Sequence, residues 1–241
     1  AALAVEIFHN FSLVHDDIMD AAPLRRGHPT VHTKWNLNTG ILSGDSMLIL
    51  AYQYFEQYEP NIFQELAKIF SKTAIEVCEG QQYDVDFEQQ AQVSTDQYLK
   101  MIAYKTAVLV GAALQMGAII AQTTEENKQK IYDFGLALGI AYQLQDDYLD
   151  TFGDASFGKK IGGDILQNKK TLLYLKALEK GTPEQKQELL TLYSTEPKSE
   201  EEKIARVTEL FIATESHTFL RAQVEAYTLK AFAILDTLDV P

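Results

Sequence analysis

The sequence predicts an all-α fold, on three observations. Apolar residues recur every three or four positions through most of the chain. No stretch alternates apolar and polar residues between turn signals, as strands do. Several helical stretches are apolar on more than one face, as expected of helices surrounded by other helices. The first element spans 1–19, where Leu3, Ile7, Phe11, Val14 and Ile18 keep the rhythm. The same spacing predicts helices over 40–55, 62–77, 98–120, 131–149, 171–178 and 204–238. Breaks fall between Pro23 and Pro29, around Pro60, at 87–95, at 153–163 and from Gly181 to Pro183. Segment 194–203 reads as a solvated turn leading into an acidic helix start. None of these breaks is long enough for a linker, so a single domain over 1–241 is expected.

Composition narrows the function. Of the 241 residues, 46% are hydrophobic and 23% charged, a globular rather than a disordered balance. Lys and Arg total 21 against 34 Asp and Glu, and a net charge of −13 argues against a nucleic-acid binder, which needs a basic face. One cysteine, Cys78, excludes an internal disulfide framework and fits a reducing compartment, so a cytoplasmic location is expected. No uninterrupted apolar run reaches the ~18–20 residues of a membrane span. The nearest, 107–121, carries Gln115, and a soluble protein is expected. The chain opens in mid-helical rhythm without an initiator Met, and both ends are expected to be cut.

Two segments repeat one pattern: Asp16-Asp17-Ile18-Met19-Asp20 and Asp146-Asp147-Tyr148-Leu149-Asp150. Each falls near the end of an apolar helical run. Residues four apart share a helix face, so Asp16 projects with Asp20 and Asp146 with Asp150. Two carboxylates ~6 Å apart repel by roughly 3 kcal/mol at an effective dielectric of 20. A hard cation such as Mg²⁺, held by one or two carboxylates plus substrate phosphates, removes that penalty. One such segment reads equally well as a solvated acidic helix end; two, each inside an apolar helix, do not. An EF-hand lacks its glycine and alternating ligands here, and a di-iron site lacks its second Glu-x-x-His, since only Glu6 and His9 have that spacing.

Cations follow both motifs: Arg25 and Arg26 the first, and Lys159, Lys160, Lys169 and Lys170 the second. Arg forks onto phosphate oxygens and Lys acts as a point charge. Gly153 to Lys160 nearly matches a nucleotide P-loop. It ends in Lys where Ser or Thr would hold Mg²⁺, however, and it follows a helix rather than a strand.

With these residues in place, the chain resembles the trans-isoprenyl diphosphate synthases, the farnesyl, geranylgeranyl and polyprenyl diphosphate synthase family. The resemblance covers essentially the whole chain. It rests on Leu13 to Asp20, Leu24-Arg25-Arg26-Gly27-His28-Pro29-Thr30, Leu42-Ser43-Gly44-Asp45, Gly80-Gln81-Gln82-Tyr83-Asp84, Tyr104-Lys105-Thr106, Tyr142 to Asp147, Gly158-Lys159, Gly162-Gly163-Asp164 and Lys169. It implies an isoprenoid-synthase-type helical bundle around a deep central cavity, usually a homodimer, with the two aspartate motifs facing each other across the mouth. By the resemblance, Asp16 and Asp20 would share two Mg²⁺ ions and Asp146 would bind a third. Asp150, Asp164, Gln81 and Asp84 would act through waters or neighbours. Arg25, Lys105 and one of Lys159 or Lys160 would grip the allylic diphosphate, Arg26 would touch isopentenyl diphosphate, and Lys169 fits the later family lysine. The carbonyls of Lys105 and Thr106, with Gln143, would offset the charge of an allylic carbocation. Released diphosphate would take the proton, so no catalytic triad is needed.

The family's upstream Gly-Lys-Arg segment and its basic C-terminal end are absent from this sequence. By the same resemblance, side chains four, five and eight residues before Asp16 form the cavity floor. Here these are Ser12, Phe11 and Phe8, the two Phe about one and two turns below the motif. An aromatic residue five before the motif implies a C15 or C20 product. Two rivals stand beside this reading. A class I terpene cyclase would carry an Asn/Asp-x-x-Ser/Thr-x-x-x-Glu box in place of the second motif, which is intact here. A non-catalytic partner subunit of a heteromeric synthase would have lost one motif. The small residues Gly111, Ala112, Ala113 and Gly117 suggest a helix-packing face for a dimer.

Overall fold

The computed structural model describes residues 1–90, 92–154, 161–197 and 199–238. In chain order they form α1 (Ala2–Met19), a hairpin of β1 (Leu24–Arg25) and β2 (His28–Pro29), α2 (Val31–Lys34), α3 (Leu37–Gln53) and α4 (Pro60–Gln89). α5 (Thr95–Ile102), a π-helical turn (Ala103–Ala107) and α6 (Val108–Ile120) then run on without a break, followed by α7 (Glu125–Phe152). The remainder is α8 (Gly163–Leu166), α9 (Leu172–Lys180), α10 (Pro183–Ser194), α11 (Glu200–Ala213) and α12 (Ser216–Leu235). The all-α expectation holds. The chain gathers into two compact units, Ala1–Ile75 with Ala112–Gln129, and Glu76–Gly111 with Lys130–Pro241.

In the first unit α1 packs along α3. The close approach is made at Gly44, where an added Cβ would lie 2.2 Å from His15 Nε2. The core is aromatic: Phe8 is fully buried, and the Phe70 ring takes Phe8, Phe55 and Tyr52 edge-on at 5.1, 5.2 and 4.7 Å. Each such ring contributes roughly 1.5–3 kcal/mol by leaving water. Buried Lys128 is held by Glu65 at 2.6 Å and Glu125 at 2.7 Å, the pairing that a charge out of water requires.

The second unit is built on α5, α7, α9, α11 and α12. Tyr98, Ile102, Leu144, Leu172, Leu173, Val207, Phe211 and Leu220 meet in one core. Because α5, the π turn and α6 are continuous, Thr95–Ile120 is long and apolar enough by length and composition to cross a membrane. Tyr98, Met101, Ile102 and Ala107 within it belong to this core, and 39% of its most apolar stretch is buried.

α2, α8 and the second half of α4 fall outside the helices read from the sequence, and three further differences have a clear local cause. The stretch read as a plain break holds a two-residue hairpin, since Arg26 and Gly27 sit at φ +52° and +79°, the pair of positive values that a type I′ turn demands. α10 is too polar for a clear period, but Thr182 and Gln185 form a capping box with Pro183 at the first turn. The stretch read as one helix over 204–238 is two. Between them Glu215 is at φ +54°, while Thr214 and Ser216 bond back to the carbonyls of Leu210 and Phe211. No Gly or Pro marks that break.

Candidate active site

Both aspartate motifs close helices: Asp16 to Asp20 ends α1, with Asp20 as the C-cap, and Asp146 to Asp150 lies in the last two turns of α7. A helix C-terminus carries the negative end of the dipole, so each carboxylate there costs ~0.3–1 kcal/mol rather than stabilising. Acidic residues gathered at the unfavourable end of two helices need a cation nearby. At the first motif it is Arg25, whose Nε donates to Asp17 Oδ1 at 2.8 Å and whose Nη2 donates to Asp16 Oδ2 at 3.1 Å. The hairpin brings Arg25 back to the helix that precedes it. Asp17 is buried, which pushes its carboxyl pKa up, and the Arg25 bond partly offsets that rise. Arg26, at the exposed tip of the turn, is not turned to these carboxylates by any hydrogen bond among the described residues.

The second motif is more deeply set. Asp147 is 4% exposed and accepts hydrogen bonds from the Tyr98 hydroxyl and, at 3.0 Å, from Gln143 Nε2. Burial and then the charge of Asp164 push its carboxyl well above the usual range. Asp150 accepts from the backbone N–H of Asp164 at 3.1 Å, tying α8 to the end of α7.

Lys105 and Thr106 lie in the π turn, where the Val108 N–H reaches back to the Ala103 carbonyl. Such one-turn bulges recur at functional sites. Two glycines let neighbouring helices touch it: a Cβ on Gly80 of α4 would lie 2.2 Å from Lys105 N, and one on Gly139 of α7 2.6 Å from Ala107 Cα. Lys105 Nζ pairs with Asp84 Oδ2 at 2.5 Å, and Thr106 Oγ1 donates to Gln143 Oε1 at 3.0 Å. Lys105, Thr106, Gln143 and the second motif are therefore brought together.

The cations behind the second motif divide. Lys169 lines a cavity of about 30 Å³ with Asp84 and Tyr98. Lys170 lines the same cavity but also caps α4, donating to the carbonyls of Phe87 at 2.6 Å, Glu88 at 3.3 Å and Gln90 at 2.5 Å. It completes a helix end rather than a substrate grip. Lys159 and Lys160, with residues 155–158 of the near P-loop, lie outside the described residues. Phe8 and Phe11 are both buried, 5.4 Å apart, with Phe11 against His15 at 4.8 Å. Of the small residues of α6, Gly111 and Ala112 are buried within the chain, Gly111 against Tyr132, while Ala113 is half-buried and Gly117 is exposed. Sequence reasoning gave Tyr98 no role, because a tyrosine in an apolar helical rhythm reads as ordinary core.

The donor set suits a hard divalent ion. Each motif offers three aspartate carboxyl groups, and among the described residues no cluster of three His, Cys, Asp or Glu side chains is poised to hold an ion unaided. Mg²⁺ takes one or two carboxylates and fills the rest of its shell with water and phosphate. Gln81 Nε2 is buried without a hydrogen-bond partner among the described residues, a donor suited to water or an anionic oxygen.

An all-helical chain with paired Asp-Asp-x-x-Asp segments closing two apolar helices has the isoprenoid-synthase fold. Within that fold, it belongs to the polyprenyl synthetase family, whose sequence profile matches residues 1–211. A geranylfarnesyl diphosphate synthase of Natronomonas pharaonis is 40% identical over 188 residues, covering 75% of this chain and 54% of that protein. A geranylgeranyl pyrophosphate synthase crystal structure superposes with a TM-score of 0.95 at 52% identity, over 99% of this chain and 74% of that one. The Corynebacterium glutamicum geranylgeranyl pyrophosphate synthase, complexed with isoprenyl diphosphate and magnesium, gives 0.89 at 29% identity, over 99% and 72%. The chain spans 54% to 64% of the length of several curated relatives it matches.

Proposed function

We propose that this chain carries the catalytic body of a short-chain trans-prenyltransferase, which joins isopentenyl diphosphate to an allylic diphosphate and yields a C15 or C20 prenyl diphosphate. The observation that carries the reading is the second-motif cluster: Lys105 and Thr106 on a π turn, bonded to Asp84 and to Gln143, beside Asp147. A cation, polar oxygens and an aspartate motif on one face suit a reaction in which diphosphate leaves and positive charge develops on carbon.

Asp16, Asp20 and Asp146 would hold Mg²⁺, in three ions by family resemblance, and the metal would offset charge on the leaving diphosphate. Magnesium beside isoprenyl diphosphate in the Corynebacterium relative supports that choice. Lys105, Arg25, Lys169 and one of Lys159 or Lys160 bind phosphate oxygens. For Arg25 this means giving up a bond to Asp16 or Asp17 for the substrate. Arg26 serves isopentenyl diphosphate. The allylic carbon–oxygen bond breaks, the isopentenyl double bond attacks that carbon, and the proton lost passes to diphosphate. Gln143 Oε1 and the carbonyls of Lys105 and Thr106 offset the carbon's charge meanwhile. Phe11 and Phe8 limit chain growth, although one relative's name is that of a C25 synthase.

A homodimer completes the proposal. It is supported by the outer face of α3, where Ile41, Leu42, Ile49 and Leu50 are 39%, 64%, 60% and 45% exposed. One exposed thiol, Cys78, fits the reducing cytoplasm.

The test supplies isopentenyl and geranyl diphosphates to the full-length protein, with and without Mg²⁺, and identifies the prenyl chain. A Mg²⁺-dependent C15 or C20 product is expected. Folded protein that makes no condensation product moves the partner-subunit reading to the front, and cyclic hydrocarbon formed without isopentenyl diphosphate moves the cyclase there.

A further inference from the structure

We propose that Tyr98 is a positioning residue for prenyl transfer: through Asp147 it fixes the side-chain amide of Gln143, so that the amide oxygen faces Thr106 and the π turn. The inference rests on the role proposed for Gln143 above. Tyr98 is 2% exposed, and a buried hydroxyl needs a partner. It has taken a carboxylate on another helix, 49 residues away, rather than a nearby carbonyl. Asp147 Oδ2 accepts from Tyr98 and Oδ1 from Gln143 Nε2 at 3.0 Å; Gln143 Oε1 then accepts from Thr106 Oγ1 at 3.0 Å. The bonds converge on the Asp147 carboxyl: Thr106 donates to Gln143, and Gln143 and Tyr98 both donate to Asp147.

These bonds set which way the amide points. Gln143 turns its NH₂ to Asp147 Oδ1 and its oxygen to Thr106 Oγ1, so the amide oxygen lies on the side away from the carboxyl. The oxygen has two lone pairs. Thr106 uses one and the second is left for developing positive charge. Without the Tyr98 hydroxyl, Asp147 keeps one side-chain donor of two and loses the contact that fixes its rotation. Burial and the carboxylates of Asp147, Asp164 and Asp84 all push the Tyr98 hydroxyl well above 10, so it stays a donor throughout the working pH range.

The decisive variant is Tyr98→Phe, which keeps the ring and its packing. In the full-length protein with geranyl and isopentenyl diphosphates at saturating Mg²⁺, kcat falls about tenfold, because a polar group set out of line by a fraction of an ångström loses much of its effect. Both KM values stay within about twofold, since substrate binding is untouched. In a Gln143→Met background the same substitution changes kcat by less than about twofold, because the route it acts through is gone. The side-chain amide resonance of Gln143, observed in ¹⁵N-glutamine-labelled protein, moves in Tyr98→Phe and stays in a Tyr174→Phe control. An equal loss of kcat in both backgrounds, or an unmoved Gln143 resonance, overturns the proposal and leaves Tyr98 as packing alone. If Gln143→Met and Thr106→Val themselves leave kcat unchanged, the role given to Gln143 falls and this inference with it.

Discussion

Gly80→Ala is the most searching single change, because it asks whether the π turn is held in place by contact. An alanine Cβ there would lie 2.2 Å from Lys105 N, 2.6 Å from Tyr104 C and 2.7 Å from Lys105 Cα. Ordinary contact begins at 3.4 Å, so α4 and the π turn would have to separate by as much as 3.4 − 2.2 = 1.2 Å. The atoms in the way are backbone and cannot rotate aside. Overpacking of this kind costs about 3 kcal/mol at the upper end of its usual range. The better helix propensity of Ala returns about 1 kcal/mol, for a net loss near ~2 kcal/mol. For a chain of this size that lowers Tm by about 4–8 °C. The same displacement carries Lys105 and Thr106 with it, and about 1 Å of misplacement costs ~10²-fold in rate. Gly117→Ala is the internal control: nothing lies within 4 Å of its added Cβ, and only the propensity gain applies. It raises Tm by about 2–4 °C. Differential scanning calorimetry and prenyl-transfer kinetics on the pair read both effects. A Gly80→Ala protein as stable and as fast as Gly117→Ala would refute the claim that this contact positions the site.

Other predictions follow from the same contacts. Lys170→Met strips three carbonyls of their donor and costs about 2 kcal/mol at pH 7 in urea unfolding. Burial lowers the Lys170 pKa below 10.5, so between the two values the unfolded chain binds more protons than the folded one and wild-type stability rises with pH. The cost of the substitution therefore grows as pH climbs toward 10.5; a cost that shrinks would contradict the assignment. Arg25→Leu leaves Asp17 buried without its partner and destabilises by roughly 2 kcal/mol, whereas Arg26→Leu at the exposed turn changes Tm little. Equal effects in thermal melts would mean that the hairpin does not sort the two arginines. Phe11→Ala opens space beside Phe8 and lengthens the prenyl product, at a stability cost of about 3–4 kcal/mol. Chromatography of the dephosphorylated alcohols decides the matter, and an unchanged chain length removes Phe11 from the floor.

The sequence made the helices legible where a buried stripe repeats, as in α1 with Phe8 and Phe11, because burial and periodicity are two views of one face. It failed where a different force decides. α10 holds by its cap rather than by its stripe. The α11–α12 break is made by Thr214 and Ser216 bonding back to carbonyls that a continuing helix would have used otherwise. In the site, spacing placed Arg25 and Arg26 alike after the first motif, and only the hairpin shows that Arg25 is the one bonded to its carboxylates. Lys170 shows the limit. A lysine next to Lys169 looks like a second phosphate ligand, and only the position of the α4 terminus reveals that it faces three carbonyls. Tyr98 was invisible for the opposite reason, since its ring satisfies the core pattern and its hydroxyl leaves no trace in periodicity.

The π turn also settles a matter of phase. Tyr98 and Thr106 are eight residues apart, which in an uninterrupted α-helix would set them about 80° apart around the axis. One extra residue absorbed without advancing the helix makes the separation behave as seven, and the angle closes to about 20°. Both hydroxyls can then meet Asp147 and Gln143, which themselves sit one turn apart on α7. A regular α-helix carrying the same residues without the π turn would leave those two hydroxyls about 80° apart, no longer sharing a side.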